Sequence, residues 1–420
     1  MSGQITSNVF RGSGVIAATA GGLNWVSTVV TASTLTAEAG NGYWINTTSN
    51  TCTITLPSSA EVGDQIVFID YLRTWGTNKI IIDSNGLNYQ GEDDTYTVEY
   101  NTDGETLSIV YADATKGWIP LNDDEVTDAP VAPPTQKALF GYGYTGSHVS
   151  MTNLVNSSGV VATDVTGVGT ARAGLAAATY GTDKALFGYG NTGSNVSMTN
   201  LVNNSGVVAA DVTGVGTARN NVAAANYGTD KAIFGYGTTG SQSSLTNLVS
   251  NSGVVASDTT GVGTARNLLA ATGYGTDKAI FGYGSSPGVI HSITNLVSNV
   301  GVVSADVTGV GTTRYGVGAA SYGSTGQAIF AYGYNSGQLS MSNLISNTGV
   351  QSSDVTGVGT GRYALAAAGY GGDKAIFGYG ADGNLSMTNL VSNSGVVATD
   401  VTGVGTGRTY LAAAGYSISA

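Results

Sequence analysis

Lys184-Ala-Leu-Phe-Gly-Tyr-Gly190, Val196-Ser-Met-Thr-Asn-Leu-Val202, Val207-Val-Ala-Ala-Asp-Val-Thr213 and Val222-Ala-Ala-Ala-Asn-Tyr227 are four short apolar or β-branched runs in one stretch of a 420-residue chain. Asn191-Thr-Gly-Ser-Asn195, Asn203-Asn-Ser-Gly206 and Gly214-Val-Gly-Thr-Ala-Arg219 separate them, the punctuation of short β-strands. The same text recurs six times. Its units open at Lys137, Lys184, Lys231, Lys278, Gln327 and Lys374, a spacing of 47 residues stretched to 49 between Lys278 and Gln327. A unit of this size cannot bury its apolar face alone, so the copies must stack on one another.

Four short antiparallel strands per unit predict the blade of a β-propeller, here with six blades. With the Ala-rich strand innermost, each blade takes that strand from the preceding unit. The first blade then borrows Leu411-Ala-Ala-Ala-Gly-Tyr416 from the C-terminus, which closes the ring. A β-solenoid or an interwoven trimeric fibre is the alternative that the same strands allow. Read from Arg219, the pattern Arg-x-x-x-Ala-Ala-x-x-Tyr-Gly-Thr-Asp-Lys-Ala-Ile-Phe-Gly-Tyr-Gly237 is similar to the kelch repeat. It departs from that repeat in carrying Gly-Tyr-Gly for a glycine doublet and in lacking the Tyr and Trp of the third strand. The resemblance implies a kelch-like propeller over residues 137–420.

Upstream of Lys137 the text changes. Residues 1–24 are small and polar with scattered Val, Ile and Phe, and are expected to form an arm that orders against a partner. Residues 25–121 hold alternating runs such as Gln65-Ile-Val-Phe-Ile-Asp-Tyr71 and Lys79-Ile-Ile-Ile-Asp83, with all four tryptophans, Trp25, Trp44, Trp75 and Trp118. They predict a β-sandwich. Residues 122–136, with Asp123, Asp124, Glu125, Pro130, Pro133 and Pro134, read as an extended linker. Gly40-Asn-Gly-Tyr-Trp-Ile-Asn46, then Leu56-Pro57 with Val62-Gly-Asp64, then Asp113-Ala-Thr-Lys-Gly-Trp118, resemble a β-sandwich module of tailed-phage fibre and virion-appendage proteins. That resemblance implies a virion structural protein, assembled in the host cytoplasm and exposed on the particle. Its implied partners are other virion proteins, through the arm and sandwich, and further copies of itself, as a trimer.

The net charge of −12 lies wholly before Lys137, since the repeats carry eleven acidic and eleven basic residues. No basic footprint for phosphate backbones exists, so nucleic acid is not an expected partner. No run of eighteen apolar residues and no Lys/Arg-led apolar leader occurs, so neither membrane insertion nor secretory processing is expected. Cys52, the one cysteine, sits in the alternating Thr51-Cys-Thr-Ile-Thr55 and reads as a small packed group.

No enzyme, cofactor or metal is expected. His148 and His291 lie in comparable loops with no ligand-spaced carboxylates, and no nucleophile is paired with a base. Asp93-Asp94 and Asp123-Asp124-Glu125 read as solvated loop charge in preference to calcium sites. Gly-Tyr-Gly and Gly-Val-Gly open no helix, so they are not phosphate loops. Asp164, Asp211, Asp258, Asp306, Asp354 and Asp400 each stand eight residues before an arginine: Arg172, Arg219, Arg266, Arg314, Arg362 and Arg408. A residue present in every copy serves the copy, so these twelve are expected to be structural ties between neighbouring chain segments.

Function is expected where the copies differ. The loop after Gly-Tyr-Gly and the pair after each arginine vary, and an up-down meander brings both to one face. The candidate receptor-binding residues are Tyr144, His148, Asn191, Asn195, Gln242, His291, Tyr315, Tyr334, Gln338, Tyr363, Asp382 and Tyr410. Aromatic rings and amides in that mixture suit a host-surface glycan, with a host protein as the other receptor class. A capsid-decorating or adaptor protein whose ring binds virion subunits is the alternative. A glycan-degrading tailspike is the third, and it requires a carboxylate pair that the copies do not show.

Overall fold

The computed structural model describes residues 23–121 and 135–419. The arm expected over 1–24 lies outside them as far as residue 22, and the linker as far as residue 134. Asn24, assigned above to the arm, opens the first strand instead, because its backbone pairs with Asn41. The chain forms two compact units divided between Pro133 and Pro134. Both are all-β, with no helix among the described residues.

The first unit holds β1 (Asn24–Trp25), β2 (Thr34–Thr36), β3 (Asn41–Ile45), β4 (Cys52–Thr55), β5 (Gln65–Asp70), β6 (Ile80–Asp83), β7 (Val98–Tyr100), β8 (Thr106–Asp113) and β9 (Gly117–Pro120). One sheet runs β1-β3-β5-β8-β9 and the other β2-β4-β6-β7. Alternation in the sequence becomes alternation in burial: Ile80 and Ile82 are buried while Ile81 is half-buried. Ile54, Phe68, Trp75, Tyr100, Ile109 and Trp118 share one core. Cys52 is 1% exposed in that core, and burial pushes its thiol up to about 11, so it stays protonated. A period of two fixes which face each residue takes but leaves strand direction open. Here β1 to β6 alternate between the sheets and pair in parallel, so the chain winds like a coil before the antiparallel β7, β8 and β9.

The described residues of the second unit form six three-stranded sheets, numbered I to VI by their inner strands Ala176–Tyr180, Ala223–Tyr227, Ala270–Tyr274, Gly318–Tyr322, Ala366–Tyr370 and Ala412–Tyr416, and one short hairpin of Ser285–Ser286 with Val289–Ile290. Each inner strand pairs antiparallel with a middle strand, such as Lys184–Gly188 in sheet I, and the middle strand pairs with a third, such as Thr199–Val202. In sheet VI the C-terminal Ala412–Tyr416 pairs with Lys137–Tyr144. The inner strands pack in a cycle, the sixth returning to the first. Thr135 and Gln136, placed above in the linker, belong to this unit. Gln136 N–H donates to the Ser417 carbonyl at 2.7 Å, and its own carbonyl accepts from Gly371 N–H at 2.9 Å. The third run of each unit, residues 207–213 in the copy quoted first, is not a continuous strand but lies outermost in its sheet. It touches the third strand through two isolated bridges, Val208 to Val202 and Val212 to Thr199 in sheet I.

The spacing between sheets is set by one methyl group. The inner strand of five sheets opens with Ala facing a Gly on the middle strand, as in Ala176 opposite Gly188. A Cβ on Gly188 would stand 2.5 Å from the Phe234 ring of the next sheet. Sheet IV exchanges the two residues, with Gly318 opposite Ala331, and there a Cβ on Gly318 would stand 2.9 Å from Phe377. Each sheet therefore offers the next phenylalanine room for one methyl.

The tyrosine of each Gly-Tyr-Gly has φ between 62° and 65°, and the glycine after it between 96° and 115°. This left-handed step turns the tyrosine ring out of its own sheet. The ring lands 5.0–5.4 Å from the next sheet's phenylalanine.

Candidate functional site

The invariant layer lies under the loops that follow the middle strands. All six arginines are fully buried, each guanidinium 4.2–4.6 Å from the tyrosine ring of the preceding sheet. Arg172 shows the pattern: Nε donates to the Tyr189 carbonyl at 2.9 Å, Nη1 to the Thr170 carbonyl at 3.1 Å and Nη2 to Asn200 Oδ1 at 2.7 Å. Asn200 Nδ2 in turn donates to Asp211 at 2.9 Å, and Asp211 accepts from Thr170 N–H and from the Thr170 hydroxyl. The second glycine of Gly-Val-Gly makes room, since a Cβ on Gly169 would stand 2.4 Å from that carboxylate.

The aspartate eight residues before each arginine is not its partner. Arg172 faces Asp211, Arg219 faces Asp258, Arg266 faces Asp306, Arg314 faces Asp354 and Arg362 faces Asp400. Arg408 faces Asp164, joining the last unit to the first. These N···O distances are 3.5–4.0 Å, so asparagine and threonine carry most of each tie. Burial alone would raise each aspartate's pKa. Hydrogen bonds from Thr and Asn, with the arginine charge, outweigh burial and hold the carboxyls below their ordinary value.

Sheet IV departs from the pattern. Gln351 occupies the place of Val161, Val208, Val255, Val303 and Val397, and its Nε2 donates to Tyr283 Oη at 2.6 Å and to the Val310 carbonyl at 2.8 Å. In the other five units the tyrosine hydroxyl itself bonds the equivalent carbonyl, as Tyr189 does to Val215. Here Arg314 Nη2 donates to Tyr283 Oη as well as to Asn343 Oδ1, and Arg314 Nε and Nη1 and Gln351 Oε1 are buried without a hydrogen bond.

Above this layer, two closed circuits of backbone hydrogen bonds mark the two faces of the ring. On the loop face, Gly174 N–H donates to Tyr410 O, Asn221 to Gly174, Leu268 to Asn221, Gly316 to Leu268, Ala364 to Gly316 and Tyr410 to Ala364, at 2.7–3.2 Å. All six residues hold φ between 50° and 64°. On the turn face, residues after the inner strands bond the next turn at 2.7–2.9 Å, as Gly181 does to Asp230. The lysines Lys184, Lys231, Lys278 and Lys374 are there, each paired with the aspartate before it.

The variable positions gather on the loop face because each loop pairs with the connection entering the same sheet. Asn191 bridges Ala173 and Asn195, Thr238 bridges Asn220 and Gln242, Tyr334 bridges Tyr315 and Gln338, Tyr363 bridges Ala381, and Tyr144 bridges Thr409. Sheets IV to VI bring aromatic rings together. Tyr315 and Tyr334 are 5.4 Å apart, Tyr334 and Tyr363 5.3 Å, and Tyr315 and Tyr363 6.2 Å. Burial, then the neighbouring Tyr363 and Tyr315, raise the pKa of the Tyr410 phenol. Tyr144, 40% exposed, stands edge-on to His148 at 5.5 Å. Sheets I to III carry amides instead: Asn195 bonds Asn191 and reaches the Thr238 carbonyl of the next sheet at 3.1 Å. In the single lengthened loop, Ser286 Oγ lies 2.7 Å from His291 Nε2, while burial and then Arg266 lower that imidazole's pKa. This is a hydroxyl–imidazole pair, with no carboxylate bonded to the ring's other nitrogen among the described residues. No cluster of three or more His, Cys, Asp or Glu placed to hold a metal occurs among the described residues.

No family model and no curated protein matches the chain.

Sequence reasoning singled out the arginines and aspartates but not the asparagine of Thr-Asn-Leu-Val, the tyrosine of Gly-Tyr-Gly or Gln351. Asn153, Asn200, Asn247, Asn295, Asn343 and Asn389 recur in all six copies, and that recurrence was the available signal.

Proposed function

We propose that this is a phage virion protein whose six sheets are the blades of a kelch-like β-propeller, displayed to bind a glycan on the host surface through its loop face. The observation that carries the reading is the division of the ring into an invariant buried layer and one face where the copies diverge into tyrosines and amides. Tyrosine supplies large contact area with few rotatable bonds, as in other adaptable recognition surfaces. The first unit and the residues before it are the mount, to other virion proteins and, as the fibre resemblance implies, within a trimer.

A cleaving site is not part of the reading, because Asp382 is the one acidic residue among the variable positions and glycoside hydrolysis uses two carboxylates. The architectural reading has an observation of its own. Val160, Val207, Val254, Val302, Val350 and Val396 are 61–66% exposed at the rim and yet identical in all six copies, as a contact with other virion subunits would require. Binding of the full chain to host cells separates the two. Saturable binding that Tyr363→Ala with Tyr410→Ala abolishes supports adhesion, and no binding by the unaltered chain supports the architectural role.

A further inference from the structure

Resting on the reading that the loop face binds glycan, we infer that its ligand is an uncharged saccharide chain. The chain lies across the ring axis, with sugar rings stacked on the tyrosines of sheets IV to VI and hydroxyls bonded by the amides of sheets I to III.

Charge argues for the class of ligand. Among the variable loops and the pairs that follow the arginines, Asp382 is the only residue bearing a full charge at neutral pH. All six arginines are fully buried, the aspartates opposite them are occupied by Thr and Asn donors, and the paired lysines are on the opposite face. An acidic polysaccharide would lose hydration at this face without gaining a cation.

Placement argues for the footprint. Tyr315 and Tyr334 exchange backbone hydrogen bonds at 2.9 and 3.2 Å, Tyr363 exchanges them with Ala381, and Tyr410 is held in the circuit through Ala364 and Gly174. The rings therefore stand on ordered backbone, which lowers the entropy cost of binding. Around the axis, Gly174, Gly316 and Ala364 contribute at most a methyl group, and Asn221, Leu268 and Tyr410 are the larger side chains of the same circuit. Across the axis, the Asn221 and Gln242 carboxamides make no hydrogen bond to the described residues. Asn267 uses its oxygen, accepting from Ser285 at 3.1 Å, and leaves its amide hydrogens free. Donors and acceptors without charge match sugar hydroxyls.

The test uses host surface polysaccharide separated by anion exchange into neutral and acidic fractions, with the full chain assayed against each by affinity electrophoresis. Retention by the neutral fraction is expected, steady between about 0.05 and 0.5 M salt. It should weaken about tenfold in Tyr363→Ala or Tyr315→Ala, and Tyr363→Phe should keep it, since the ring is what stacks. Retention by the acidic fraction alone, or neutral retention indifferent to both alanine variants, overturns the inference. A chain that binds host cells but neither fraction also overturns it while leaving adhesion standing. A chain that binds no host cells removes the adhesion reading itself.

Discussion

Gln351 stands where the other five units carry valine, and it weakens one of the six ties. Its amide takes the carbonyl that the Tyr283 hydroxyl would bond, and Arg314 Nε and Nη1 are left buried without acceptors. Gln351→Val is expected to return Arg314 to the geometry of Arg172 and to stabilise the ring by about 1 kcal/mol, read as a rise of about 2 °C in melting temperature. The six aspartates make a pH-dependent prediction. Their folded pKa values are depressed, so their contribution is full above the ordinary value of 3.8 and is lost as pH falls through the lower folded values. The phenols of Tyr142, Tyr189 and Tyr283, pushed up to about 12 by burial, act in the other direction. Their contribution is full below 10.0 and is lost as pH rises through about 12. Melting temperature should hold between these limits and fall outside both, and a flat profile below pH 3.8 would contradict the ties. The arginines and aspartates were legible because every copy repeats them. Their partnership was not, because the aspartate eight residues upstream belongs to the preceding sheet. The asparagine that joins each pair looked like one more polar residue in a strand.

At the scale of elements, the exchange of Ala and Gly between sheet IV and the others is a compensation written into the chain. Gly318→Ala alone adds a methyl 2.9 Å from Phe377 and is expected to cost about 1–3 kcal/mol. Combined with Ala331→Gly it should recover most of that loss, because the pair then matches the other five sheets. Denaturant melts of the two single variants and the double variant form the cycle, and simple additivity would contradict the shared-methyl account. The strand runs themselves were legible from alternation and turn residues. Thr34–Thr36 was not, being three residues with a single apolar centre. Nor was the parallel winding of β1 to β6, since alternation is the same in either direction. The third run of each unit, such as residues 207–213, had strand-like composition, but it is tied by two bridges only, with its exposed valine at the outer edge.

At the scale of the whole second unit, six copies of one text were enough to predict a closed array, because near-constant spacing leaves little room for any arrangement in which units differ. Closure depends on residues far apart in sequence. Arg408 meets Asn153 and Asp164, Ala412–Tyr416 pairs with Lys137–Tyr144, and Tyr410 completes the loop-face circuit with Gly174. The sequence places the variable residues on one face, yet it does not show that the tyrosines among them collect on three adjacent sheets, because that needs the ring order. The most direct measurement is hydrogen exchange of the full chain with and without host surface polysaccharide. The account predicts new protection confined to peptides around Tyr144, Tyr315, Tyr334, Tyr363 and Tyr410 and to the facing Asn191, Asn221 and Asn267. Protection centred on the rim valines or on the lysine-bearing turns would contradict it.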